Sequence, residues 1–488
     1  MADEPAQSKR VAKDPTVYAI GNIVRRLVGF LMLPIYTRYL TPADYGVVGL
    51  LTLAIAIMEP LFGARLVEVV PKYYFECGEG KRRNSVIFTA LVVTGSVSAI
   101  TAVLSYLLRD YSSQVLFGSR DYAVAVGLFG VQILTQPIEY YGLTYLRIIR
   151  RPWTFLAVSL SKLILQLTLN IVLVVWLNLG VMGVVISSVC SSSIYAAGLC
   201  ISTIAKVGMG FDGALAKAMI RFSWPLWLSS LSGLYIYQGG VYFLRIFGSL
   251  GQVGLYELAA RVAAVLTFVV WVPFNQYWEA VRFKYYRDPA SWGVYSETFK
   301  LLTGVLMVAA LCLTVGAEPV IRMMAAPAFH KAYLAVPILV MAIFLASLTG
   351  FVRFGLLVGE RAHSVPVIGY LTAAVVTVLN ICLIPSFGMV GAAAALVGAR
   401  IAQFAITFIL SRRNFDMRIE LKPVMGLLGI LFFAALAADL LPPADNLLAD
   451  CLERAAVLLL TLAPVAVTLW RTPVARAQLG RLIWRGQS

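Results

Sequence analysis

Seven basic residues sit inside stretches otherwise apolar enough for a lipid bilayer: Arg25, Arg26, Arg65, Lys162, Arg261, Arg353 and Arg400. The acids embedded in the same way are Glu59, Glu139 and Glu257, with Glu68 and Glu279 nearer the ends of their runs. A charge in hydrocarbon is costly, so such side chains turn toward one another or toward a water-filled cavity, and they mark ion or substrate routes. Cations outnumber acids here, and a cavity with surplus positive charge draws an anion such as phosphate. Arg25, Lys162 and Arg400 are the first candidates for that work. Arg25 lies between Gly21 and Gly29 at four-residue steps, a stripe of small residues that lets helices approach or lines a cavity. Lys162 and Arg400 fall near the middle of runs in opposite halves of the chain, and Leu396, Arg400 and Gln403 share one helix face.

Arg65, Arg261 and Arg353 extend the cationic set. The competing role is structural: Glu257 and Arg261 at i, i+4, and Arg65 and Glu68 at i, i+3, are spaced to neutralise each other on a helix. Arg25 and Glu59 lie at matching depth, about ten residues in at roughly 1.5 Å each, so they can also pair between neighbouring helices. Glu59 and Glu139 are the candidates for a coupling proton or sodium ion. Tyr140, Tyr235, Gln136 and Gln403 can line a sugar path, for which packing is the alternative role. Enzyme signatures are missing from the sequence. His330 and His363 are the only histidines, no GxSxG or P-loop occurs, and the six cysteines form no CxxC pair. Neither a metal site nor a cofactor is expected.

These residues must be positioned by membrane helices. Of 488 residues, 60% are hydrophobic and 13% charged, against roughly 25% charged in soluble domains. Fourteen apolar runs are expected, near 16–37, 45–69, 85–107, 122–146, 153–176, 181–204, 222–246, 253–276, 299–317, 332–357, 364–385, 388–411, 424–440 and 454–470. The fold class is therefore an all-α polytopic membrane protein. With the N-terminus inside, the inner segments carry 26 Lys and Arg and the outer ones 7. The positive-inside rule then places both termini in the cytoplasm and explains the net charge of +16 without nucleic acid. Trp153, Trp224, Trp278 and Trp470 fall at inner ends, as headgroup anchors do.

An internal repeat is visible. Gly46 and Gly254 are 208 residues apart, and so are Gly183 and Gly391 in the short outer turns NLGVMG and SFGMVG. Asn170 and Asn380 precede those turns. The expected organisation is a tail (1–14), an N-lobe of six helices (15–205), a linker (206–221) and a C-lobe of six helices (222–413). Helices 13 and 14 (424–470) and a basic tail (471–488) complete it. A repeat of six helices keeps the two halves in one orientation.

The turn Arg38-Tyr-Leu-Thr-Pro-Ala-Asp-Tyr-Gly46, the Gly254-Leu-Tyr-Glu-Leu-Ala opening and the segment Leu379 to Ala393 resemble the oligosaccharide (Wzx-type) flippases. These form the polysaccharide-transport branch of the superfamily that also holds MATE exporters. The resemblance spans residues 15–413. It implies two six-helix lobes with alternating access. The cargo it implies is a polyprenyl-diphosphate-linked oligosaccharide for O-antigen, capsule or exopolysaccharide. The membrane would be the bacterial inner membrane, and a polysaccharide polymerase or co-polymerase a partner. Many flippases of this branch have twelve helices, so the last pair is a departure. The alternatives are a MATE-type multidrug antiporter, which calls for interior acids, and a membrane glycan polymerase or ligase, which calls for large outer loops.

Overall fold

The computed structural model describes residues 32–62, 66–78, 80–286, 292–359, 364–440 and 447–470. Among these residues the regular structure is helical and no strand occurs. A segment surrounded by hydrocarbon must pair its own backbone groups, and a helix does so unaided. Seven helices are long and apolar enough to cross a bilayer, and Pro42–Met58 and Lys422–Ala437 are shorter apolar ones. The chain is a multi-pass membrane protein, as its composition requires. Most of the expected first run, 16–37, lies outside the described residues.

Two compact units divide the chain: Met1–Arg245 with Ser249–Gly254, and Ile246–Gly248 with Leu255–Ser488. The seventh apolar helix, Gly213–Phe247, thus belongs almost wholly to the first unit, whereas the sequence places the lobe boundary before it at 206–221. Local bonds account for this. Asp212 accepts from the Leu215 N–H at 3.1 Å, and its own N–H donates to Thr89 Oγ1 at 3.0 Å. Tyr73 then donates to the Ala218 carbonyl at 3.2 Å. The start of the helix is therefore fastened to its own unit.

In the first unit, the helix Pro42–Phe62 begins with a reciprocal cap. The Thr41 N–H donates to Asp44 Oδ2 at 3.0 Å, and the Asp44 N–H donates back to Thr41 Oγ1 at 3.2 Å. Two orphan donors of the first turn are thereby satisfied, and Pro42 needs none. The helix crosses the helical turn 250–254 at backbone contact. A Cβ on Gly46 would strike the Leu250 carbonyl, and one on Gly254 the Pro42 carbonyl. The paired glycines therefore touch each other's segments, a close crossing that only small residues allow.

The two repeat turns each carry a glycine with positive φ. Pro152–Asn170 continues through a π-helical Ile171–Trp176 and returns as Gly180–Val207. In the second unit Ser364–Asn414 is two helices broken at Gly388, where the sequence expects its split. Gly180 and Gly388, 208 residues apart, both have φ +53°, a left-handed geometry that glycine adopts without strain. After each turn the returning helix packs tightly: Gly183 lies against the Leu173 carbonyl and Gly391 against that of Leu383.

The second unit is built round Gly293–Met324, which packs against Val336–Val352, Lys422–Leu440 and Leu447–Trp470. One end of this unit is an aromatic cluster. Trp278 stacks on Phe351 at 5.1 Å and meets Tyr295 edge-on at 5.4 Å. Phe354 and Phe415 extend the cluster, each packed on Tyr295. This corrects one expectation. Trp153 and Trp224 are exposed, as anchors should be, but Trp278 is only 2% exposed and belongs to the core. Its indole packs on aromatic rings from neighbouring helices, and that burial outweighs a place at the headgroups.

Candidate functional site

In the first unit the mid-depth charges meet on the helix Ala123–Ile148. This helix carries Gln132, Gln136, Glu139 and Tyr140 and is interrupted by Pro137. Glu139, 5% exposed, receives the Lys162 ammonium at 2.5 Å, and Lys162 also donates to Ser192 Oγ at 3.3 Å. Three helices therefore converge on one buried ion pair. This corrects the reading of Lys162 as surplus charge: its carboxylate partner stands 23 residues earlier in the chain, beyond the reach of any within-helix spacing rule. Gln136 donates to the Tyr140 hydroxyl at 3.5 Å. Nearby, Thr94 donates to the deeply buried Tyr141 hydroxyl at 3.0 Å. Tyr235 is partly exposed on the seventh helix.

Arg25 and Arg65 lie outside the described residues, as does the Glu59 side chain, and with them the Arg25–Glu59 and Arg65–Glu68 pairings.

In the second unit Arg400 Nη1 donates to Gln403 Oε1 at 2.6 Å, so the polar stripe expected on that face is present. An amide oxygen orients the guanidinium without adding a negative charge. Glu257 and Arg261 are within electrostatic reach of each other, in line with a structural pair. Arg353 is exposed at the end of Val336–Val352, within electrostatic reach of Arg282 and Glu279. Arg282 stands 4.0 Å from Glu279, and its guanidinium carbon lies 5.2 Å from the centre of the Phe354 ring. Its Nε is buried without a hydrogen-bond partner. One guanidinium at ion-pair distance and a second within electrostatic reach thus stand near one half-exposed carboxylate beside an aromatic wall. By hydropathy Arg282 reads as a loop charge, because the apolar run stops at 276 while the helix continues to Tyr286.

A second charge cluster is nearly invisible in the sequence. Glu318 receives Arg322 and Arg454, each at 2.5 Å on a different carboxylate oxygen. Arg454 is 3% exposed. The expected span ends at 317, one residue short of the acid. Thr314, Glu318 and Arg322, at four-residue steps on one helix face, are the one signal of it.

The sequence matches the family model described as polysaccharide biosynthesis protein over residues 11–278, more than half the chain. No curated protein matches it. Among solved structures, the lipid II flippase MurJ in its inward closed conformation aligns with a TM-score of 0.73 at 14% identity. That alignment covers 93% of this chain and 100% of the MurJ chain. The MATE multidrug transporter DinF-BH aligns at 0.61 and 18% identity over 84% of this chain and 96% of its own. A mutant of the Vibrio cholerae MATE transporter VcmN aligns at 0.56 and 15% identity over 86% and 99%. At these identities the alignments establish the fold alone.

Proposed function

The chain belongs to the polysaccharide biosynthesis protein family, and from that premise we propose that it is a flippase for a lipid-linked oligosaccharide. The cargo is a polyprenyl-diphosphate-linked glycan, moved from the cytoplasmic to the periplasmic leaflet of the bacterial inner membrane by alternating access. Both termini are cytoplasmic, and a polymerase or co-polymerase uses the product. No catalytic step is involved; the reading is of a transporter and not an enzyme.

The observation that carries this reading is the Arg282 guanidinium of the second unit, which stands 4.0 Å from Glu279 with its Nε unbonded, and has Arg353 within electrostatic reach. Arginine pairs diphosphate oxygens through two parallel N–H donors, and such charge-assisted bonds are about twice as strong as neutral ones. Arg282 and Arg353 stand at the basic, aromatic end, where a cytoplasmic headgroup arrives. Arg400 also attracts the diphosphate, and Arg25 and Arg65 are further candidates for that role by sequence. Tyr140, Tyr235, Gln136 and Gln403 contact the sugars. Glu139, already bonded to the Lys162 ammonium, and Glu59 are the two candidate coupling acids.

The test is transfer of a fluorescent polyprenyl-diphosphate oligosaccharide in proteoliposomes. Arg353→Ala and Arg400→Ala are each expected to slow transfer by about tenfold, the effect of one charge-assisted bond, at unchanged melting temperature. Wild-type transfer in both variants would remove the anion route.

The structural likeness to MATE transporters supports a second reading, an antiporter for organic cations. It predicts efflux of a lipophilic cationic dye by the same proteoliposomes and indifference to the arginine substitutions.

A further inference from the structure

The Glu318 cluster borders a cavity of about 270 Å³ in the second unit. Its lining includes Thr314, Glu318 and Arg454 on the polar side, and Leu431, Phe432 and Leu436 on the apolar side. Glu318 is the one acid among the described lining residues, and it faces two guanidinium groups. Thr314 is 2% exposed, and its hydroxyl has no hydrogen-bond partner. Arg322, bonded to the other oxygen of Glu318, is outside the lining and leaves the cluster with one positive charge in excess. Buried donors are almost always satisfied, because an unpaired one keeps its full desolvation cost. A ligand that accepts hydrogen bonds and carries negative charge answers both needs at once. Phe432 and Leu436 are exposed, so one wall of the cavity is hydrocarbon-like, and an occupant can trail an apolar chain from there.

We propose that this cavity binds the phosphate of an anionic membrane phospholipid, with Thr314 and Arg454 on its oxygens and its acyl chains along Phe432 and Leu436. Two features of the lining distinguish the site from a purely structural ion cluster: a buried hydroxyl left unbonded points to a missing acceptor, and there is room for a headgroup beside it. Arginine-lined pockets between membrane helices recognise lipid headgroups in this way. The proposal does not depend on which cargo the protein carries.

The experiment uses the full-length protein in detergent, with lipid retention read by native mass spectrometry and melting temperature read in parallel. Phosphatidylglycerol is the probe; phosphatidylcholine and inorganic phosphate are the comparisons. Wild type is expected to retain phosphatidylglycerol and to melt higher with it, and to do neither with the other two. Thr314→Val removes one oxygen and leaves every ion pair in place. It is expected to bind the lipid about tenfold more weakly while melting as wild type does in its absence. Should Thr314→Val not fold, Arg322→Gln, which keeps the Arg454–Glu318 bond, is expected to show the same loss. Equal binding of phosphatidylcholine, or unchanged retention by the variant, overturns the proposal. Protection by inorganic phosphate as strong as by the lipid overturns the lipid assignment.

Discussion

Two asparagines that precede the repeat turns, 210 residues apart, live differently. Asn170 accepts a hydrogen bond from Ser187 at 2.6 Å, both residues being buried beside the Gly180 turn. Asn380 is fully buried beside the Gly388 turn, and neither atom of its amide has a partner. A buried amide without a partner keeps its desolvation cost, so Asn380→Leu is expected to leave the melting temperature unchanged or raised. Ser187→Ala should destabilise by roughly 1 kcal/mol; the different signs in the two units are the measurable contrast. Individual residue roles are only partly legible in the sequence. Asn170 and Asn380 stand out by position, whereas the Lys162–Glu139 bond joins two helices and leaves no periodic trace. Burial and partner are properties of the packed structure, and the one-dimensional pattern supplies only the charge.

The elements themselves are much easier to read. Hydrocarbon imposes a length and a composition on each span, so the runs and the break before Gly388 follow from hydropathy and from proline and glycine placement. The helix ends do not follow, because a span can continue past its apolar window, as the 299–317 run does to Met324. That extension hides Glu318. Nor does hydropathy reveal the unit to which the seventh helix belongs, since the deciding bonds from Thr89 and Tyr73 are tertiary. The crossing of Pro42–Phe62 over the turn 250–254 gives the element-level prediction. Gly46→Val places a branched side chain on the Leu250 carbonyl, and the segments must separate. Overpacking of this kind costs about 1–3 kcal/mol or more, which should appear as lower yield of monodisperse protein in size-exclusion chromatography. Gly426→Val, where a Cβ meets open space, is the control expected to behave as wild type.

For the molecule as a whole, composition and fold agree on a multi-pass membrane protein, and the departure from twelve spans becomes interpretable. The last two helices, Lys422–Leu440 and Leu447–Trp470, are bound into the second unit through Gly293–Met324, with Arg454 on Glu318. A chain ended after residue 421 is expected to lose stability broadly, by about 3–5 kcal/mol for the broken buried pair alone, rather than to transport with altered specificity. Thermal denaturation of the truncated protein beside an Arg454→Met, Glu318→Leu double variant separates the two contributions: the double variant should retain most of the stability that the truncation forfeits.

The bond between Glu318 and Arg454 joins residues 136 positions apart, and that separation has a meaning during synthesis. A ribosome delivers the carboxylate to the membrane well before the last span exists, with Arg322 one turn away to accompany it. The nascent protein therefore waits with an incompletely compensated acid until its final helix enters, and the arrival of Arg454 completes the assembly. In the order of translation the closing hairpin is the latch of biogenesis, and damage to the chain's end should surface first as failed membrane maturation.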